Sequence, residues 1–97
     1  MARRRYLVAY DIREDGRLRA VHKTMKSYGD PLQYSVFLCD LDPSERVHMK
    51  ADLRAVMNEH VDSVAIVDLG APDGRGLECF DFIGPTMRLP RTGTRIV

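Results

Sequence analysis

Five consecutive residues, Tyr6-Leu7-Val8-Ala9-Tyr10, constrain the fold more than any other stretch of the chain. The run is short, apolar and β-prone with no alternating polar positions, the pattern of a strand covered on both faces. A carboxylate, Asp11, closes it. Such a strand belongs at the centre of a sheet, so partners must be found for both its edges within 97 residues. A single domain of this length buries only about 60–65% of its extended-chain surface. Its own core is modest, and association with a second copy would add the missing burial.

The remainder of the chain supplies those partners with helices between them. Over residues 15–28, Leu18, Val21, Met25 and Tyr28 recur at three- and four-residue steps while Arg17, Arg19, Lys23 and Lys26 fill other positions. This predicts a basic amphipathic helix, stopped at Gly29. Residues 33–41 read as extended, with Val36 and Leu38 alternating against Phe37, Cys39 and Leu41, and a separate short strand is expected near Pro31 and Leu32. Asp42-Pro43-Ser44-Glu45 offers an N-cap, a proline at the first helical position and an acid in the first turn. A second helix follows to about His60, with Met49, Leu53 and Val56 as its apolar stripe. Residues 61–69 form another strand, residues 70–76 a glycine-rich loop, and residues 77–83 a further extended segment.

The order β-α-β(β)-α-β favours an α+β, ferredoxin-like βαββαβ sandwich: an antiparallel sheet with both helices on one face and an extra strand toward the C-terminus. The other sheet face needs a cover, and a second protomer is the simplest one. The chain divides into a domain over residues 1–84 and a tail over residues 85–97, marked by Pro85, Pro90 and Gly93 and ending in the β-prone Thr94-Arg95-Ile96-Val97.

Several function classes are excluded at this level. Cys39 and Cys79 lie far apart with no C-x-x-C spacing, which indicates reduced thiols rather than a zinc site or a disulfide framework. Apolar stretches of about six residues fall far short of the ~20 that span a bilayer. The start Met1-Ala2-Arg3-Arg4-Arg5 runs directly into a strand, so the chain is expected to be cytoplasmic. The net charge of +1 conceals polarity: residues 1–29 hold eight basic side chains against three acidic, and residues 30–68 hold three against eight. A basic end of that kind suits a polyanion, although charges also serve simply to solvate helix faces.

Asp11 is the first candidate for chemistry. A carboxylate at the end of a buried central strand stands where a ligand can reach it, and oxygen donors suit Mg²⁺ or Mn²⁺. The competing role is capping of the helix that begins a few residues later. One carboxylate makes a poor metal site, whereas two brought together by a twofold axis could hold an ion. His22, His48 and His60 share no ligand spacing, and the 70–76 loop lacks the lysine and following helix of a phosphate loop. Tyr10 and Phe37 are aromatic strand residues more typical of a core, and the paired aromatics of an RNA-recognition motif are missing.

Four segments together carry a family resemblance: Tyr10-Asp11-Ile12 after the first strand, Tyr28-Gly29 ending the first helix, Gln33-Tyr34-Ser35-Val36-Phe37 in the next strand, and Asp62-Ser63-Val64 opening the later one. In this order and spacing they resemble the CRISPR-associated Cas-two family, over roughly residues 5–69. The resemblance implies a ferredoxin-like homodimer in which Asp11 faces its twofold mate and holds a divalent metal, Mg²⁺ or Mn²⁺, for phosphodiester hydrolysis of RNA or double-stranded DNA. It implies a bridging role between two dimers of the Cas-one integrase during spacer acquisition, with the tail as a dimer or integrase contact. Tyr10 and Phe37 match motif positions tied to activity in that family. The basic residues Arg13, Arg17, Arg19 and Lys23 would bind phosphate, although Leu18 separates Arg17 from Arg19 where the family has a basic run. Two alternatives remain open on the sequence: a non-catalytic nucleic-acid-binding scaffold, and a toxin-type ribonuclease on the same fold.

Overall fold

The computed structural model describes residues 2–85 and Leu89. Strand β1 (Arg4–Asp11) is followed by helix α1 (Asp15–Lys26), strands β2 (Asp30–Gln33) and β3 (Val36–Leu41), helix α2 (Pro43–Val56), strand β4 (Ser63–Gly70) and a short helix α3 (Arg75–Glu78). The strands form one sheet in the order β2-β3-β1-β4, with antiparallel pairing throughout. The chain is a ferredoxin-like α+β sandwich, and β1 lies inside the sheet as its apolar run requires.

Alternation along β1 divides the two faces. Tyr6, Val8 and Tyr10 point to the helices and join Phe37, Cys39 and Leu41 of β3, Val21 and Met25 of α1, and Met49 and Leu53 of α2 in one buried cluster. Leu7 and Ala9, on the opposite face, are only half-buried. The expectation of full cover on both faces therefore holds within this chain for one face.

Helix α2 starts as its sequence dictates. The Asp42 carboxylate accepts from Glu45 N at 2.8 Å, and the Glu45 carboxylate accepts from Asp42 N at 2.9 Å, a reciprocal capping box behind Pro43. The helix ends at Val56, so His60 lies beyond it. Residues 30–41 divide into β2 and β3 at Tyr34-Ser35, in line with the separate short strand expected near Pro31 and Leu32. Gly29 is glycine for a reason other than the left-handed stop: a Cβ there would fall 2.2 Å from Leu38 O and 2.6 Å from Cys39 Sγ. The end of α1 is pressed against β3, and a side chain would separate them.

The extended segment expected over residues 77–83 is corrected. Its first residues belong to α3, where Leu77 N and Glu78 N donate to Gly74 O and Cys79 N donates to Arg75 O. Beyond α3 the described residues form no strand, and the Phe80 and Phe82 rings stack with centroids 5.8 Å apart. The turn is held from below by Arg5, whose side chain has no solvent exposure. Its guanidinium donates to both Asp40 oxygens, at 2.7 and 2.9 Å, and to Gly76 O at 3.0 Å. A Cβ on Gly76 would meet Ala71 O at 2.8 Å and Arg5 Cβ at 3.0 Å, so only glycine lets the two segments approach. This tertiary anchor overrides the β propensity of residues 77–83. The tail over residues 85–97, including the β-prone 94–97, lies outside the described residues except for Pro85 and Leu89.

No helix of the described residues is long and apolar enough to cross a membrane. Among the described residues neither Cys39, which is buried, nor Cys79, which is half-buried, takes part in a disulfide.

Candidate functional site

Asp11 ends β1 on the face turned away from the helices, because it follows Tyr10 by one residue. Its side chain is 68% exposed, and its ion pair with Arg13, itself 67% exposed, is long at 3.8 Å. The competing capping role falls to another residue. Glu14 is the N-cap of α1, accepting from Gly16 N at 2.9 Å and Arg17 N at 2.8 Å. Those two backbone donors hold the Glu14 carboxyl below its usual range. Asp11 is thus left exposed, without a capping duty, on a rigid strand.

The loop between β1 and α1 is fixed by Asp62, a buried residue just before β4. One oxygen of Asp62 accepts from Arg13 N at 2.9 Å and Arg17 Nη2 at 3.2 Å, and the other from Arg17 Nε and Asn58 N, both at 2.8 Å. The Arg17 guanidinium, the first cause, and the two backbone donors together drive the Asp62 carboxyl far below the ordinary carboxylate range against the opposing effect of burial. Asp62 therefore positions the segment that carries Asp11 and Arg13. The sequence marks Asp62 only as the start of a motif; its structural role depends on Arg17, 45 residues away.

The expected site residues divide by face. Asp11 and Arg13 are exposed at one end of the sheet. Arg19 and Lys23 are exposed on α1, with Lys26 two turns on from Arg19. Arg17 is committed to Asp62 and is less than one-third exposed. Phe37 is fully buried, and Tyr10 is 6% exposed. Their rings stack on the helix side with centroids 6.2 Å apart. The Tyr10 hydroxyl donates to Tyr34 O at 3.2 Å and lies 2.9 Å from His22 Nδ1, and burial raises its pKa. The structure thus places Tyr10 and Phe37 in the core and on the opposite side of the sheet from Asp11.

Within one chain the metal-binding donors are few. The described residues contain no cluster of three or more His, Cys, Asp or Glu side chains placed to hold an ion. Asp11 is nonetheless a hard oxygen donor exposed to water, which fits an ion such as Mg²⁺ that takes one or two carboxylates and keeps several waters. A cavity of about 250 Å³ between the end of α2 and β4, lined in part by Leu53, Met57, Val64 and Ile66, does not include Asp11.

A ferredoxin-like sheet with a carboxylate exposed at the end of its inner strand, beside a basic helix, defines a small α+β protein with both charges displayed at one end of the sheet. The family model for CRISPR associated protein Cas2 matches residues 4–74, and the chain belongs to that family. The chain is 46% identical over 65 residues to the CRISPR-associated endoribonuclease Cas2 1 of Rhodospirillum rubrum, covering 67% of this chain and 64% of that protein. It is 45% identical over 65 residues to the CRISPR-associated endoribonuclease Cas2 of Geobacter sulfurreducens, covering 67% of this chain and 68% of that one. Among solved structures, Streptococcus pyogenes Cas2 superposes with a TM-score of 0.72 at 32% identity, covering 82% of this chain and 99% of the other.

Proposed function

We propose that the protein is a CRISPR adaptation nuclease subunit that acts as a homodimer on duplex DNA or RNA and bridges dimers of the Cas-one integrase. The observation that carries this reading is Asp11, exposed on a rigid strand at the rim of a half-covered apolar sheet face. That face presents Leu7, Ala9, Val36, Ala65 and Val67, and Val67 is 47% exposed. A second copy packed against it would remove the apolar surface from water and bring the two Asp11 carboxylates to a common axis. An interface of at least about 1,200 Å² is expected of such a specific contact.

In the dimer, Asp11 of each protomer would hold one Mg²⁺ or Mn²⁺. The bound ion would supply Lewis-acid stabilisation of the scissile phosphate and activation of water. Arg13 stands beside Asp11 to bind the phosphodiester backbone, Arg19 and Lys23 extend the cationic surface along α1, and Arg17 acts on Asp62 to position the loop. Names borne by the relatives support the nuclease reading.

The test is cleavage of RNA and duplex DNA by purified protein with Mg²⁺, Mn²⁺ or EDTA. Asp11→Asn is expected to lower the rate by about 10²-fold or more, the usual cost of removing a group that stabilises transition-state charge, with the fold unchanged. A variant as active as the wild type would overturn the catalytic role. An unchanged ability to bind duplex would then leave the scaffold role standing.

A further inference from the structure

Tyr34 is the one aromatic among the strongly exposed large apolar side chains of the described residues, at 69% exposure. It is not a loose turn residue. Its ring stacks on the His22 imidazole with centroids 5.6 Å apart and planes inclined by 20°. His22 is itself braced edge-on by the buried Phe37 ring at 5.4 Å. The hydrogen bonds fix the imidazole further. The Tyr10 hydroxyl lies 2.9 Å from His22 Nδ1 and 3.2 Å from the Tyr34 carbonyl oxygen, so one phenol oxygen ties both the imidazole and the Tyr34 backbone to the core. Phe37, His22 and Tyr34 thus form a graded stack from core to surface, and the outer ring is held in place before any ligand arrives.

The surroundings of the stack are cationic. Arg19, His22 and Lys23 are spaced i, i+3 and i+4 and share one face of α1, with Arg19 and Lys23 exposed. The platform also stands at the Asp11 end of the sheet, since Tyr10 N donates to Ser35 O at 3.1 Å across the β2–β3 turn. It faces the helix side, however, and a second copy seated on the opposite sheet face leaves it open.

We propose that Tyr34, backed by His22 and flanked by Arg19 and Lys23, is a stacking platform for an unpaired nucleobase. The cations track the backbone while the phenol ring takes a base face, the combination by which single strands are held without sequence reading. This inference rests on the nucleic-acid-binding reading above and deepens it, by giving the chain a way to distinguish unpaired nucleotides from continuous duplex.

The test uses the full chain in EDTA, with single-stranded RNA and DNA of one sequence carrying 2-aminopurine, and a blunt duplex as reference. Stacking should quench the 2-aminopurine fluorescence for wild type and for Tyr34→Phe. Tyr34→Leu keeps bulk and the backbone carbonyl but lacks the aromatic ring; it should lose the quench and weaken single-strand binding roughly tenfold, with duplex affinity unchanged within about twofold. The RNA and DNA arms identify which strand the platform prefers. Equal quenching by Tyr34→Leu and wild type, or single-strand binding without quenching, would overturn the platform. Duplex binding with no single-strand binding would overturn it alone, and binding of neither would overturn the nucleic-acid reading with it.

Discussion

The two faces of the sheet are built from the same strands and finished to different degrees. On the helix side, Tyr6, Val8, Tyr10 and Phe37 meet α1 and α2 and are sealed from water. On the other side, Arg5 and Asp40 are covered beneath α3, whereas Val67 is half-exposed and Asp11 mostly exposed. A shift of one residue along β1, from Tyr10 to Asp11, therefore separates a buried side chain from an exposed one. Side-chain alternation, rather than proximity in sequence, sets that difference.

Substitutions on the two faces should part company most clearly in stability. Phe37→Ala removes a fully buried ring from the helix side and is expected to cost about 3–5 kcal/mol in denaturant unfolding. Val67→Lys on the open face should change the unfolding free energy of dilute protein by no more than about 0.5 kcal/mol, yet weaken self-association at least about tenfold in sedimentation equilibrium. A large stability loss for Val67→Lys in dilute protein would mean that both faces belong to one core.

Acid should expose the dependence of the Asp11 end on Asp62. The Asp62 carboxyl is depressed in the folded chain from an ordinary value of 3.8. Its contribution to stability is therefore complete above about pH 4 and is lost as pH falls through the lowered folded value. Asp62→Asn should be less stable than wild type at neutral pH, and the gap should narrow on acidification below pH 4. Urea midpoints measured against pH would show this, and a gap independent of pH would remove the ion pair from the account.

The smallest effect is expected on the helix side, where the Tyr28 hydroxyl donates to the Asp52 carboxylate. Burial first and this carboxylate second push the Tyr28 hydroxyl up to about 12. Its stabilising contribution is present below the ordinary value of 10.0 and is lost as pH rises through about 12. Tyr28→Phe should remove one tyrosine's amplitude from the late part of the ultraviolet titration and move the melting temperature little.

What the sequence discloses follows from the range of the interaction. The capping box at Asp42 and Glu45 is local, and four adjacent residues suffice to announce it. The inner position of β1 is equally legible, from five apolar residues in a row. The true cap of α1 is harder to read, because Glu14 is a less favoured cap than Asp and two aspartates, Asp11 and Asp15, stand close by. Residues 77–83 look extended because the docking that bends their start into α3 comes from Arg5, at the opposite end of the chain. The basic character of Arg17 is plain, but its engagement by Asp62 depends on tertiary pairing. Asp11 could be singled out by position, whereas the burial of Tyr10 and Phe37 opposite it follows only once the register is known.

The Arg5 anchor also sets an order of assembly during synthesis. Arg5 belongs to β1, but its carboxylate partner lies 35 residues later and its carbonyl partner 71 residues later. Burying a guanidinium without acceptors is costly, so β1 gains its charge partner only when Asp40 arrives and its carbonyl partner only when Gly76 does. A nascent chain paused before Gly76 should hold its first strand open to chaperones.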